Sequence, residues 1–508
     1  MIGRVYASAL ASLLVFGFVQ TASAQPADQA AAPDEAGFGD AADTVGFEPV
    51  PTAAAAPAPT GADSAERGVL EGSGSLRHRA ALWTERLDAE PFAQSRQSVD
   101  LALRFKKPYS LFGKPLLLRL VGEGHVEYDF AYLRNPGRFD DATIETYRSQ
   151  VIGREAYLAL SWDALELTVG RQIVAWGQGE MLSPVDIVNP RDLREPGLAE
   201  LQDIRMALLA SRLGLFVGKH RFELMLVHET FYGLRPAPLS EFSPLRALLL
   251  DQPATAAVLR GKQLRYRDDQ ARFDDPAGQL YGRWSFAGSG IDLALYAAYT
   301  HDKQGVPVLP TAAELAADDL ALLLRHPRYA MLGHAGAKPI GDFVLRWELA
   351  FEFDRPLIVE QGTGVFPMLD EARRHQLTFM LGATYAGIAD TNIGLEYAQS
   401  RVFDNPERQA GNMLSLFLPV EAPNFALRVR RTFLRERLTV TLAGILVGID
   451  PYVGAFARLE FDYELQEALH AGLGYAMYLP SDTEFGPFYG QDTHDRLYAS
   501  LRWDFTLE

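Results

Sequence analysis

The chain has 508 residues, a formal net charge of −17 at pH 7 and no cysteine. Without cysteine it has no disulfides, no thiol catalysis, no cysteine-based metal site and no lipid anchor on an N-terminal cysteine. The acidic balance argues against a nucleic-acid partner, because a phosphate backbone is bound by clustered lysine and arginine.

Residues 1–24 have the features of a secretory signal peptide. Arg4 precedes an apolar run at 7–19, and Ala22 and Ala24 are the small residues expected before a cleavage site. The run is shorter than the roughly 20 residues of a membrane-spanning helix, and no comparably long apolar stretch follows. We therefore expect export with cleavage after Ala24, and insertion into a membrane by β-strands.

Residues 25–67 are rich in Ala, Pro and Asp, with few large apolar side chains. Such a composition buries too little apolar surface to fold, so a disordered periplasmic tether is predicted. A tether of this kind does not form a folded plug. Whatever obstructs the lumen of the following domain, residues 68–508, is expected to come from its loops.

From residue 68 onward, apolar and polar side chains alternate over segments longer than the strands of soluble proteins. In 342–354, Trp347 and Leu349 share one face, whereas Arg346 and Glu348 share the other. Strands of this length suit a tilted crossing of a bilayer. The same alternation occurs in 118–132, 376–387 and 453–464.

Short and long links between these segments also alternate. Short links are predicted at 162–164, 218–219, 288–290, 337–341, 388–390, 435–436 and 465–467. Long links are predicted at 176–204, 233–277, 302–327, 355–374, 402–421 and 480–493, and the short link at 448–451 breaks the pattern. The predicted fold is all-β: a transmembrane antiparallel β-barrel of about 16–18 strands with short periplasmic turns and long extracellular loops. We favour 18, which includes a weaker hairpin at 69–83 and 98–106.

The segment 169–197 resembles the signature of an uncharacterised family of proteobacterial outer-membrane β-barrels, domain of unknown function 1302. The matching residues are Gly170, Arg171, Gln172, Trp176, Gly177, Asn189, Pro190, Asp192 and Gly197, and Tyr128, Asp129 and Tyr132 resemble an early strand of such barrels. The resemblance implies a fold and an outer-membrane location, but no substrate. It also suggests an exporter of the resistance-nodulation-division type as a partner.

The same segment carries a charged loop stiffened by Pro184 and Pro190. One hypothesis is that this loop folds into the barrel mouth as a constriction, with Trp176 packed on the wall. The equally open alternative is a surface loop in which Arg171 pairs locally with an acid. The candidate constriction residues are Arg171, Gln172, Trp176, Asp186, Asn189, Arg191, Asp192 and Arg194.

The polar faces of the strands are expected to line the lumen with charges of both signs. Such charges either select charged solutes through the local field, or neutralise one another and keep the lumen hydrated. The candidate lumen-lining residues are Arg119, Glu123, Glu127, Asp129, Arg346, Glu348, Glu352, Asp354, Arg428, Arg430, Arg458, Glu460, Asp462 and Arg502.

No catalytic or metal-binding motif occurs around the 10 histidines, so neither an enzyme nor a cofactor is expected. His228 is interpreted as a lone histidine on the outward face. The leucines of 310–325, including Leu315, Leu320 and Leu324, favour a short helix on a loop or the barrel rim. The segment 496–508 resembles the C-terminal strand read by the barrel insertion machinery, although the usual terminal aromatic is absent.

The sequence therefore predicts a protein of the outer membrane of a Gram-negative bacterium, in contact with membrane lipid and lipopolysaccharide. The main hypothesis is a channel or porin that passes small polar or charged solutes through a charge-lined lumen. The alternative is a non-conducting partner of an envelope export or assembly system, working with a periplasmic or inner-membrane exporter.

Overall fold

In a computed structural model of the protein, the described residues are 68–87, 92–133, 137–199, 201–243, 246, 256–257, 259, 261–275, 278–308, 310–361, 368–403, 421–448, 454–481 and 487–507. The predicted signal peptide and tether lie outside these residues.

Eighteen strands of the described chain form one antiparallel sheet, and three more form a small separate sheet. The 18 strands are β1 (Val69–Trp83), β2 (Phe92–Leu111), β3 (Lys114–Asp129), β4 (Ser149–Trp162), β5 (Leu165–Gln172), β6 (Leu208–Val217), β7 (His220–Val227), β9 (Gln279–Gly288), β10 (Ile291–His301), β13 (Arg328–Ile340), β14 (Phe343–Gln361), β15 (Met368–Ile388), β16 (Thr391–Val402), β17 (Asn424–Phe433), β18 (Leu438–Val447), β19 (Gly454–Gln466), β20 (Leu469–Leu479) and β21 (Arg496–Leu507). The small sheet contains β8 (Gln263–Asp268), β11 (Val306–Pro307) and β12 (Asp319–Arg325).

The sheet closes on itself. Strand β21 pairs with β1 in register from Gly72↔Leu507 to Trp83↔Arg496, and the other strands pair with their neighbours along the chain. Closure removes the two free edges, whose unpaired backbone groups could not be satisfied in lipid. The predicted transmembrane β-barrel is confirmed, with the favoured number of 18 strands.

Every second side chain of the barrel strands points outward, and this outer face is apolar. In β14, Leu349 is 43% exposed, whereas its neighbours Glu348 and Ala350 are 2% and 1% exposed. Leucines at equivalent outward positions are 48–56% exposed, among them Leu101, Leu213, Leu332, Leu381, Leu395, Leu473 and Leu501. A continuous apolar surface of this kind is stable against hydrocarbon rather than water.

The links at one rim of the barrel are short and most of those at the other rim are longer, as predicted; the exception expected near 448–451 is a link of six residues between β18 and β19. Two residues connect β2 to β3, β4 to β5, β6 to β7 and β9 to β10. Asp163 and Ser289 take positive φ values of 52° and 57° in two of these turns, a conformation suited to tight hairpins. We call the two rims the short-turn rim and the long-link rim.

Two segments differ from the sequence-based prediction. Most of 355–374 was predicted as a long link but is strand. The prediction missed it because a β-bulge shifts the register of β14 between Glu352 and Arg355, so the period-two pattern does not continue through this point. In 310–325 the helix spans just Ala312–Ala316, and the leucines that follow belong to β12. Strand β12 pairs with β8 in parallel, and Leu320 and Leu324 are buried there.

A short 3-10 turn at Phe130–Leu133 and the helix Asp141–Tyr147 occupy the link after β3. Another short helix, Leu201–Ile204, precedes β6. Among the described residues, no helix combines the length and the apolar composition needed to cross a membrane.

Candidate constriction inside the barrel

The link between β5 and β6, residues 173–207, lies inside the barrel; we call it the internal loop. Its side chains Val185, Val188 and Trp176 are 0%, 1% and 2% exposed. They form one buried cluster with inward-facing residues of β6, β7, β9, β10, β13 and β14. The loop is therefore fastened to the wall by a hydrophobic core of its own.

Aromatic contacts fix the entry of the internal loop. The Trp176 ring lies 5.5 Å from that of Tyr281 in an edge-on arrangement and 4.8 Å from that of Tyr296. Gly177 follows at φ +90°, and a Cβ there would lie 2.5 Å from Oε1 of Glu348. A glycine is required at this point because the backbone turns tightly and approaches the opposite wall.

Two carboxylates from across the lumen hold the tip of the internal loop. Glu348 of β14 accepts hydrogen bonds from the backbone N–H groups of Gln178 (2.5 Å), Gly179 (2.7 Å) and Val185 (3.3 Å), and from the Ser183 hydroxyl (2.9 Å).

Glu396 of β16 accepts the N–H groups of Glu180 (2.6 Å), Met181 (3.0 Å) and Leu182 (2.7 Å). Hydrogen bonds to a charged group contribute about 1.5–3 kcal/mol each. We call Glu348 and Glu396 the carboxylate clamp.

The loop tip also forms ion pairs with the wall. The Glu180 carboxylate lies 3.1 Å from Nη2 of Arg346 and 3.7 Å from Nη1 of Arg428, and accepts a hydrogen bond from the Thr384 hydroxyl at 3.3 Å. Two of the predicted lumen-lining arginines thus bind the internal loop.

The second half of the internal loop is tied to the opposite side of the barrel. Glu195 lies 2.5 Å from Nη2 of Arg96 and 3.7 Å from Nη1 of Arg496. Burial raises the pKa of Glu195, but these two guanidinium groups outweigh burial and lower it below its ordinary value. Arg194 pairs with Glu127 at 3.0 Å.

Strands β19 and β20 make further contacts with this half of the loop. Arg458 donates to the carbonyl of Leu198, and the Tyr478 hydroxyl donates to that of Pro196 at 2.6 Å. The loop consequently contacts wall strands on both sides of the lumen.

Asp186 and Asn189 shape the loop from within. Asp186 accepts from Nε of Arg205 at 2.9 Å and lies 3.3 Å from Nη2 of Arg191. The Asn189 amide accepts from the N–H of Val174 at 2.8 Å and donates to the Met206 carbonyl at 2.7 Å. Both are almost fully buried, so their polar groups serve the loop fold.

Arg171 forms an ion pair with a nearby acid, as the surface-loop alternative expected. The loop itself, however, lies inside the barrel. Its guanidinium lies 2.9 Å from Glu229 and donates to the Ala207 carbonyl at 2.7 Å. The Gln172 side chain donates to the Ala210 carbonyl at 3.1 Å. The strand end therefore supports the loop, while residues 176–198 reach into the lumen.

Most of the predicted lumen charges lie within 4 Å of an opposite charge. The ion pairs are Arg119–Glu166, Glu123–Arg104, Glu127–Arg96, Asp129–Arg96, Glu352–Arg355, Arg458–Glu460 and Arg502–Asp504. Asp462 lies 3.0 Å from Nδ1 of His470, and Arg430 is exposed. In the predicted constriction loop, Asp192 pairs with Arg194 at 2.7 Å. Asp354 differs from the prediction: its side chain is 70% exposed, because it lies within the β-bulge of β14, at φ +52°.

Several functional residues were missed by the sequence reasoning. Glu396 occupies an inward position of β16, whose inward face also carries Gly394 and Ala398 and therefore shows little alternation of polar and apolar side chains. Glu180 lies in the loop, where no period shows which way a side chain points. Glu195 is among the charges expected in this loop, but its wall partners Arg96 and Arg496 were not predicted.

His228 was predicted to be a lone outward histidine, but its Nε2 lies 2.8 Å from the hydroxyl of Ser211 on the neighbouring strand. The contact satisfies two polar groups on a face that is otherwise apolar.

Among the described residues, two spaces of unequal size lie beside the internal loop within the barrel. The larger, about 310 Å³, lies between the loop and the inner wall of β14–β19; we call it the wall cavity. The smaller, about 180 Å³, lies between the loop and strands β1–β4, where Arg79, Arg96 and Arg154 face Glu127 and Glu195.

Solved structures with a similar fold share little sequence with this chain. They include OccK5 (OpdH) of Pseudomonas aeruginosa, at 12% identity over 86% of this chain and 98% of that chain, with a TM-score of 0.44. OccAB1 of Acinetobacter baumannii has 10% identity over 86% and 97%, with a TM-score of 0.48. OccK2 (OpdF) of P. aeruginosa in complex with glucuronate has 12% identity over 86% and 98%, with a TM-score of 0.45. Likenesses at this level do not bear on function.

Comparison with curated proteins gives no match. The family model described as "Protein of unknown function (DUF1302)" matches residues 117–418, which span most of the barrel and the whole internal loop. The match covers more than half of the chain and includes the Gly170–Gly197 motif. The protein belongs to the DUF1302 family.

Proposed function

We propose that the protein is a channel of the Gram-negative outer membrane that passes small solutes, with the internal loop as its constriction. The observation that carries the proposal is the loop tip, which crosses the lumen and is held on the far wall by the carboxylate clamp. A closed barrel with an apolar outer face suits the outer membrane, where spanning proteins are barrels.

An 18-stranded barrel is wide enough for an aqueous channel unless its own loops narrow it. The wall cavity supports a residual route on the β14–β19 side of the internal loop. Towards the short-turn rim this route meets Glu180, Arg346 and Arg428, which form ion pairs beneath the loop tip. Movement of the tip by a few ångströms is proposed to open the route.

The fastening of the internal loop also favours a second candidate, a non-conducting partner of an envelope export or assembly system. A loop anchored by Trp176, Val185 and Val188 could keep the lumen closed. The two candidates differ in whether release of the loop tip changes an existing current.

The experiment compares single-channel currents of the wild type and Glu396→Gln in planar bilayers. An amide cannot accept the three backbone N–H groups as a carboxylate does, so the variant releases the tip. Asp354→Asn, an exposed acid outside the lumen, is the matched control. The channel proposal expects a wild-type current that rises in Glu396→Gln and stays unchanged in Asp354→Asn. No current in any of the three proteins, each folded, contradicts it.

A further inference from the structure

The wall cavity differs from the charged lumen that the strand alternation predicts. Its outer side is formed by Leu357 and Ile358 of β14, Ile445 of β18 and Phe456 of β19. The internal loop supplies Leu182 on the facing side, where it packs with inward residues of β15–β17. Concave apolar surface of this kind favours the transfer of apolar groups from water.

The charges around the wall cavity are balanced and engaged. Among its described lining residues, three cations and three anions occur: Arg191, Arg355, Arg458, Asp192, Glu195 and Asp302. Arg355 lies 2.9 Å from Asp302 and 2.8 Å from Glu352. The other four charged groups bind the internal loop or its anchors, as described above.

An ion that enters the wall cavity therefore meets charges already neutralised by protein partners. It would lose hydration without gaining a free counter-charge, which is costly in an apolar environment.

One strip of the lining is polar but uncharged. On β15 and β16, Gln376, Thr378 and Ser400 are joined by hydrogen bonds of 2.8–3.3 Å. Hydroxyl and amide groups both donate and accept, so the strip can exchange an internal hydrogen bond for one to a hydroxyl or carbonyl of a solute. Uncharged polar groups beside apolar walls are typical of sites for neutral ligands.

We propose that the wall cavity binds a neutral, mainly apolar solute that carries a hydroxyl or carbonyl group, and discriminates against charged solutes. The apolar body lies against Ile358, Ile445 and Phe456, and the polar group contacts Thr378 and Ser400. This inference rests on the proposed function, because it makes the bound solute the one that the channel passes.

The test uses full-length protein in lipid nanodiscs and isothermal titration calorimetry, with empty nanodiscs as the partition control. The probes are 4-phenyl-1-butanol and 4-phenylbutyrate, which share one apolar body and differ in charge. We expect the alcohol to bind at least about tenfold more tightly than the carboxylate, a difference of about 1.4 kcal/mol. Equal or tighter binding of the carboxylate overturns the proposal.

Two variants locate the binding. The double substitution Thr378→Ala with Ser400→Ala removes the polar strip and should weaken alcohol binding several-fold. Ala443→Leu fills the cavity from the wall and should abolish it. Thr168→Ala, a buried hydroxyl on the inner face of β5 away from the cavity, is the matched control and should bind as the wild type does. If both cavity variants bind the alcohol as tightly as the wild type does, the wall cavity is not the binding site.

Current recordings separate this inference from the proposed function. If the wild type conducts, the alcohol should reduce its current and leave that of Ala443→Leu unchanged. A conducting channel that fails to bind the alcohol refutes the inference alone. Alcohol binding by a protein that conducts in no form refutes the channel and leaves the cavity as a binding site.

Discussion

At the residue scale, two buried carboxylates determine where the internal loop lies. Glu348 and Glu396 come from strands on the far side of the lumen, yet they accept backbone N–H groups of 178–185. The loop presents donors there because its glycine-rich turn leaves backbone groups without partners in a strand or helix.

Glu348→Gln is expected to loosen the loop tip and leave the barrel intact. The amide places a donor against other donors, at a cost of about 1–3 kcal/mol for each unsatisfied buried group. Hydrogen exchange at the amides of 178–183 should accelerate, while exchange in the barrel strands should not change. Asp354→Asn serves as control, and unchanged exchange at the loop tip would show that the clamp does not hold it.

At the long-link rim, the Glu241 carboxylate contacts side chains from several of the links between strands. Its carboxylate lies 2.8 Å from Arg86, 2.5 Å from Arg246, 3.5 Å from Arg138 and 3.4 Å from His494. Burial raises its pKa, but the hydrogen bond with His494 and the charges of Arg246 and Arg86 outweigh burial and hold the pKa well below its ordinary value.

Because the folded-state pKa of Glu241 is lowered, its contribution to stability is present above the ordinary pKa and disappears as the pH falls through the lowered one. The resistance of the links at the long-link rim to proteolysis should therefore be the same at pH 7 and about pH 5. Glu241→Gln should reduce resistance at both pH values. A wild type that loses resistance at pH 5 contradicts this account of Glu241.

The residues of the site were only partly predictable from the sequence. Alternation along a regular strand places Arg346 and Glu348 on the inward face, and the structure shows them there. Asp354 follows the same count but lies outside, because the bulge adds a residue that the period does not reveal. Side chains in the loop, such as Glu195, have no period from which to predict direction.

At the scale of elements, β14 has an apolar outward face and an inward face that binds the internal loop. Leu349 is outward and 43% exposed, while the neighbouring Glu348 holds the internal loop. Leu349→Arg should cost about 2–4 kcal/mol if the residue lies near the bilayer midplane. Unfolding titrations in lipid vesicles measure the loss.

Phe112→Arg is the matched control for that substitution, because Phe112 is 88% exposed in a two-residue turn at the short-turn rim. It should change the free energy of unfolding far less than Leu349→Arg. Equal losses from the two substitutions contradict the assigned membrane-facing wall.

Elements with a long, uninterrupted period were predictable, and elements defined by tertiary pairing were not. The outer half of β14 follows a bulge, and the leucines of β12 suit a helix as well as a strand. Parallel pairing with β8 decides in favour of a strand, and such a long-range contact leaves no local signal.

At the scale of the whole molecule, strand number, closure and the alternation of link lengths could be predicted because membrane barrels must satisfy every backbone group. The filling of the lumen could not. The internal loop fills the lumen through contacts with strands more than 150 residues away along the chain, such as that of Glu180 with Glu396, and the local sequence does not reveal such contacts. The barrel thus supplies a frame, and under the proposed function the internal loop determines what passes through it.

Replacement of residues 185–193 by a Gly/Ser linker of equal length tests the central claim most directly, with single-channel conductance and ion selectivity as the readout. The replacement removes Val185, Val188 and the charges of 186–192, and slower gel migration after heating verifies that the barrel has folded. We predict a higher conductance and weaker ion selectivity than in the wild type, because the narrowest point loses its loop and its charges. A folded replacement variant with unaltered conductance and selectivity would contradict the claim that the internal loop is the constriction.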